Sequence, residues 1–225
     1  MAWRCSGATN SELIQNLWDN GLITSERVKN AMTNVDRAHY SPALPYEDSP
    51  QPIGHRATIS APHMHASACE SLLPYLRPGS RVLDIGSGSG YLTHVLAELV
   101  QPGGTVVGLE HIPALAELGA RNAGKSDRGA KLMEEGRMVF VTGDGRKGWR
   151  GKGGEEGWDA IHVGAAAQGW HQELLEQLKG PGRLFVPVEE AGLQHIWVVD
   201  KDEGGEVRRR KDMGVRYVPL TDAPE

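Results

Sequence analysis

In "SELIQNLWDNG" the apolar positions Leu13, Ile14, Leu17 and Trp18 recur at helical spacing, and Gly21 supplies a left-handed stop. A second stripe, Val28, Ala31, Met32 and Val35, predicts another helix opened by Thr24 or Ser25 as its cap. The period then breaks. "YSPALPYEDSPQPIG" holds Pro42, Pro45, Pro50 and Pro52, which lack backbone donors, so this stretch is expected to wrap as a loop. From Arg81 onward short apolar runs alternate with helical ones. "RVLDIG", "TVVGLE", "RMVFVTGD", "WDAIHVG" and "RLFVPV" predict buried strands, and "YLTHVLAELV", "PALAELGARNAG" and "HQELLEQLKG" predict helices between them. Alternation of this kind means an α/β fold with a doubly wound, mostly parallel sheet. Beyond it, "QHIWVVDKDEGGEVRRRKDMGVRYVPL" carries two strand-like runs around residues 202–205, predicting an antiparallel hairpin at one edge. The glycine-rich segment "RKGWRGKGGEEG", residues 146–157, predicts a mobile surface loop.

A length of 225 residues fits one such domain, with residues 1–56 as a helical and proline-rich elaboration and 57–225 as the core. Hydrophobic residues at 39% and charged residues at 24% are ordinary values for a globular chain, which excludes disorder and fibrous architectures. No apolar run approaches the ~18 residues needed to cross a bilayer, and "MAWRCSGATN" lacks a secretory apolar region. A cytoplasmic protein without a membrane partner is expected. Two cysteines, Cys5 and Cys69, are too few for a disulfide scaffold and lack metal-pair spacing. A net charge of −5 disfavours nucleic acid as a partner. The run Arg208, Arg209, Arg210 and Lys211 is surrounded by Asp200, Asp202, Glu203, Glu206 and Asp212, so it reads as a solvated hairpin.

The candidate chemistry begins at "VLDIGSGSGYL". Gly86, Gly88 and Gly90, with Ser87 and Ser89 between them, sit where a strand turns into a helix, so that a ligand can touch backbone amides at the helix start. A dinucleotide fingerprint would need glycine at 91, but Tyr91 stands there. The observed G-x-G-x-G behind Asp84 is the form found in methyltransferases. Glu110 ends the next strand 24 residues after Gly86, near the roughly 20-residue offset at which an acid accepts from ribose hydroxyls. Asp144 in "TGDGR" ends the strand after that and is expected to meet an adenine amino group. His111 and Gly143, beside these acids, are expected in the same pocket. Three carboxylates suit the positively charged S-adenosyl-L-methionine and would repel a pyrophosphate.

The methyl acceptor must be sought elsewhere. No N-P-P-Y or D-P-P-Y tetrapeptide of the amino-adenine methylases is present. In "ATISAPHMHA", residues 57–66, Ser60 can cap the helix that follows, and His63 and His65 sit two apart with Cys69 and Glu70 beyond them. Methyl transfer from an activated sulfonium needs no Lewis acid, so no metal is expected.

Residues 58–66, "TISAPHMHA", closely resemble the signature of the protein-L-isoaspartate (D-aspartate) O-methyltransferase family. "AMTNVDRAHY", "PYEDSPQPIG", "LDIGSGSGYLT", "GDGR", "DAIHVGAAA", "QLKGPGRL" and "GVRYVPLTD" resemble further family blocks in order along nearly the whole chain. The resemblance implies methylation of the α-carboxylate of L-isoaspartyl residues, and less well of D-aspartyl residues, in damaged proteins and peptides. The ester would then collapse through a succinimide back toward aspartate. It also implies Ser60 as the catalytic contact to the acceptor carboxylate, Ala57, Thr58, Ile59 and His65 in the cofactor pocket, Thr221 closing over it, and action as a monomer. Gln168, Gly169 and Trp170 depart from the family where relatives carry proline. A methyltransferase of RNA or of a small molecule is the alternative within the fold.

Overall fold

The computed structural model describes residues 5–221. Helix α1 (Asn10–Asp19) starts at Thr9, whose hydroxyl accepts from the Glu12 amide, buries Leu13, Ile14 and Leu17, and gives way to Gly21 at φ +70°. Helix α2 (Glu26–Asn34) is capped by Ser25 and buries Val28, Ala31 and Met32. Both helices follow the predicted stripes.

The proline-rich stretch is not a loop throughout. Strands β1 (Gln51–Gly54) and β2 (Ala57–Ile59) form a two-stranded antiparallel hairpin. Its turn sets His55 and Arg56 at φ +50° and +58°, the left-handed geometry of tight hairpin turns. Pro52 is tolerated because the hairpin joins no larger sheet. Helix α3 (Pro62–Leu72) follows. Its N-cap is Ala61, with no side-chain cap, so Ser60 does not take that role. Asp48 does so instead, its Oδ1 accepting the His63 amide at 3.0 Å.

Then come β3 (Arg81–Ile85), α4 (Tyr91–Leu99), β4 (Thr105–Glu110), α5 (Pro113–Ala123), α6 (Asp127–Glu134), β5 (Met138–Thr142), β6 (Trp158–Val163), α7 (Gln172–Gln177), β7 (Leu178–Glu190), β8 (Leu193–Lys201) and β9 (Val207–Val215). The seven strands β3 to β9 make one sheet in the order β5-β4-β3-β6-β7-β8-β9, parallel through β7, with β8 and β9 antiparallel at the edge. Helix α6 was not foreseen, and α7 stops at Gln177, short of the predicted end at Gly180. Consecutive residues of β3, Val82 and Leu83, belong to cores on opposite faces, as a strand covered on both sides requires. The first core also takes in Leu13 and Ile14 of α1, so the N-terminal helices share the sheet's apolar layer.

Two connections complete the fold. Residues 146–157 are pinned, against the expectation of a mobile loop. The Gln177 side chain accepts from the Trp149 amide at 2.8 Å and donates to the Lys147 carbonyl at 2.7 Å, while Arg81 holds Glu156 at 2.9 Å. Residues 216–221 cross the strand ends as a strap: the Ala166 amide donates to the Val218 carbonyl and the Leu220 amide to the Ala166 carbonyl, both at 2.7 Å.

Candidate active site

Strand β3 lies where the chain order reverses, with β4 on one side and β6 on the other, and ligands of open α/β sheets bind in the crevice beyond such strand ends. Here the chain turns at Gly86, φ +75°, a left-handed conformation that glycine adopts without strain. Its amide donates to the Leu109 carbonyl at 2.8 Å, and on the other side the Gly164 amide donates to the Ile85 carbonyl at 2.8 Å. Gly90, at φ +85°, has a different task from the one expected of it. A Cβ there would lie 2.9 Å from Gly119 Cα, so Gly90 packs α4 against α5 and does not face the crevice.

Three hollows meet at Thr58 and Gly164, which line all of them. The first lies over the ends of β3 and β4, between Gly88, Glu110, His111 and Gly145, with Leu220 and Thr221 of the strap above. The second runs inward past Ile59, Ser60, His65, Asp84, Ser87 and Ser89 to His162. The third, an open groove of about 270 Å³, is bounded by Pro50, Ser60, His63 and Met64 on one side and Val215 to Val218 on the other. Ala57 and Gly86 complete the crevice lining. Gly143 and Asp144 stand outside it; Gly145 takes their place in the wall, where a Cβ would lie 2.3 Å from Ile85.

The acids differ in state. Asp84 is buried, with Oδ1 2.8 Å from His162 Nδ1 and Oδ2 accepting from the Thr93 hydroxyl at 2.6 Å. Glu110 is also buried: Oε2 accepts from the Gly88 amide at 3.0 Å, and Oε1 from the amides of His111 and Ile112 at 2.8 and 3.2 Å. Asp144 instead turns onto Arg146, which donates to both its oxygens at 2.9 Å and holds its carboxyl below the usual range. The three acids therefore do not converge; two face the crevice and one is paired at its rim.

His65 is enclosed, and burial, then the charge of Arg37, drives its pKa well below 6.5. Arg37 NH1 lies 3.3 Å from His65 Nδ1. A guanidinium only donates, so Nδ1 accepts and the ring proton sits on Nε2. Arg37 NH2 also donates to the Ser60 carbonyl at 2.8 Å, and burial lowers its own pKa to about 10, leaving it charged at neutral pH. Sequence reasoning missed Arg37, His162, Gly145 and Gly164. The first two stand inside "NVDRAHY" and "DAIHVG", but nothing in the local pattern separates a site residue there from a core one.

The site's residues fit a sulfonium nucleoside. Ser87 Oγ is buried beside the second hollow with no hydrogen-bond partner, and among the described residues no lysine or arginine lines the hollows that hold the Asp84 and Glu110 carboxylates. Residues 8–225 match the family model of protein-L-isoaspartate(D-aspartate) O-methyltransferase. The chain belongs to this family. It is similar to the protein-L-isoaspartate O-methyltransferase of Caenorhabditis elegans, 45% identical over all of this chain and 98% of that one. The protein of the same name from Triticum aestivum is 47% identical over 94% of this chain and 91% of its own length. A crystal structure described as a Plasmodium falciparum protein-L-isoaspartate O-methyltransferase in complex with S-adenosyl-L-homocysteine superposes with a TM-score of 0.88 at 33% identity, covering 96% of this chain and 99% of that one. The expected fold, enzyme class and methyl donor therefore stand. Among the described residues no helix is long and apolar enough to cross a membrane.

Proposed function

We propose that this enzyme repairs damaged proteins by methylating the α-carboxylate of isoaspartyl residues, with Ser60 as the catalytic contact. One observation carries the reading. Ser60 borders both the inner hollow beside Asp84 and the outer groove, so a group bound in the groove meets the cofactor pocket at this residue. S-adenosyl-L-methionine, when bound, supplies an activated methyl group on a cationic sulfur.

The chain's own residues hold and orient. Glu110, already an acceptor of three backbone amides, would take the ribose hydroxyls, and His111, Gly88 and Thr221 would enclose the nucleoside. Asp84, His65, Ser87 and Ser89 would hold the amino-acid end; the fixed negative charge of Asp84, oriented by Thr93 and His162, favours a cationic ligand. The acceptor carboxylate is deprotonated at neutral pH, so no general base is required. Ser60 donates its hydroxyl to one carboxylate oxygen and leaves the other to face the methyl group, while Arg37 fixes the Ser60 backbone. Positioning of this kind lowers barriers by up to ~7–11 kcal/mol.

Residues 1–56 and 57–225 act as one domain in this reading, supported by the core they share. A cytoplasmic monomer without nucleic-acid or membrane partners fits the net charge of −5 and the two free, buried cysteines. Light scattering checks the monomer, with a mass near 24.4 kDa expected. The function is tested with methyl-labelled cofactor and paired peptides differing only in Asp or isoAsp. Base-labile label in the isoAsp peptide alone is expected, and equal label in both overturns the specificity. Ser60→Ala should lower turnover and leave S-adenosyl-L-homocysteine affinity intact; unchanged turnover removes Ser60 from the mechanism.

A further inference from the structure

The outer groove holds a polar pair that this mechanism leaves unused. His63 stands on the same wall as Ser60, three residues on, and its Nδ1 lies 2.8 Å from Asp48 Oδ1. The Asp48 side chain is fully enclosed, and its Oδ2 has no hydrogen-bond partner among the described residues. Both contacts it makes go to His63, through the ring and through the main-chain amide. A buried carboxylate held this way fixes the ring's direction. It also fixes the tautomer: a carboxylate oxygen accepts, so the proton is on Nδ1 and Nε2 of the neutral ring carries a lone pair. The ring is 26% exposed on the groove, and Nε2 is the nitrogen left to serve it.

We infer that His63, oriented by Asp48, reads the isoaspartyl residue itself: Nε2 accepts that residue's own N–H while Ser60 donates to its α-carboxylate. The inference rests on the Ser60 reading above. In an isoaspartyl residue the N–H and the free carboxylate branch from the same carbon. In an ordinary aspartyl residue the free carboxylate sits one methylene farther out. A donor and an acceptor projecting from positions 60 and 63 at one helix start therefore measure the separation that distinguishes the two isomers. A lone pair at Nε2 repels a carboxylate, so the peptide cannot bind with the two groups exchanged.

The test is a cycle between enzyme and substrate. His63→Asn keeps a hydrogen-bonding group within reach of Asp48 but has nothing at the distance of Nε2. The substrate partner is an isoaspartyl peptide in which an ester oxygen replaces the N–H of the isoaspartyl residue. One neutral hydrogen bond is lost in either case, so kcat/KM of the amide peptide should fall roughly three- to tenfold in the variant, through KM, with S-adenosyl-L-homocysteine affinity unchanged. The ester peptide should be poorer by the same factor with the wild-type enzyme and no poorer still with the variant. Equal loss on both peptides, or a variant at wild-type kcat/KM, overturns the inference. Should the variant fail to fold, the wild-type enzyme alone decides, because an ester peptide used as well as the amide is incompatible with this contact. Ser60→Ala run alongside separates the two readings. If it leaves turnover untouched, the Ser60 assignment falls; if it cuts turnover while His63→Asn acts alike on both peptides, only the His63 assignment falls.

Discussion

Replacing Glu110 by glutamine preserves shape and removes charge at the point where the crevice accepts most strongly. The carboxylate receives three backbone amides on its two oxygens, at 2.8, 3.0 and 3.2 Å. A glutamine has a single acceptor oxygen, so it can serve the His111 and Ile112 pair or Gly88, and the NH2 group then points at a donor. A bound ribose diol meets the same shortage. Hydrogen bonds to a charged group are worth ~1.5–3 kcal/mol, so the loss of one weakens S-adenosyl-L-homocysteine binding roughly ten- to 150-fold. Titration calorimetry at fixed pH reads this directly. KM for the isoaspartyl peptide at saturating cofactor should stay near wild type, since Glu110 lines the nucleoside hollow and not the outer groove. A dissociation constant within twofold of wild type, in a variant that still folds, would show that Glu110 serves only to tie the glycine loop.

Gly145→Ala drives a Cβ to 2.3 Å from Ile85 Cγ2 and 3.3 Å from Leu220 Cδ1. Overpacking of this kind costs about 1–3 kcal/mol, and thermal denaturation should show a Tm lower by at least ~2 °C; an unchanged Tm refutes the tight wall. His65 carries a pH signature. Its folded pKa lies well below 6.5 because of burial and then Arg37, so below about pH 6.5 the unfolded chain binds the extra proton and this group's share of stability is lost as pH falls, by at most ~1.4 kcal/mol per unit. In His65→Gln that part of the acid loss should vanish, and denaturation midpoints that fall in parallel with wild type between pH 6.5 and 5 would contradict the assignment.

The sheet was legible because its strands are apolar on both faces and bounded by glycine turns, and Glu110 because its offset from Gly86 is set by one strand-helix-strand unit. Local chemistry of that kind survives folding. What was not legible depended on partners distant in sequence. Asp144 looks like Glu110 at its strand end, yet Arg146 two residues on captures it. Ser60 has the composition of a helix cap, but Asp48, twelve residues earlier, supplies the cap, and the Ser60 hydroxyl pairs with Tyr217 across the groove instead. Arg37 gave no signal, since a guanidinium reaching the Ser60 carbonyl from 23 residues away leaves no period in the sequence. The hairpin at residues 51–59 was hidden by Pro52 within it and Pro50 just before it, since proline forbids an inner strand but not an isolated pair.

The strap of residues 216–221 gives the enzyme one wall for two guests. Val218 borders the nucleoside hollow on one side and the peptide groove on the other, and its carbonyl is tied to Ala166 beneath. Any displacement that admits one guest reshapes the wall met by the other. Should the donor change peptide affinity through this shared wall, thermodynamic reciprocity demands that the peptide change donor affinity by the same factor.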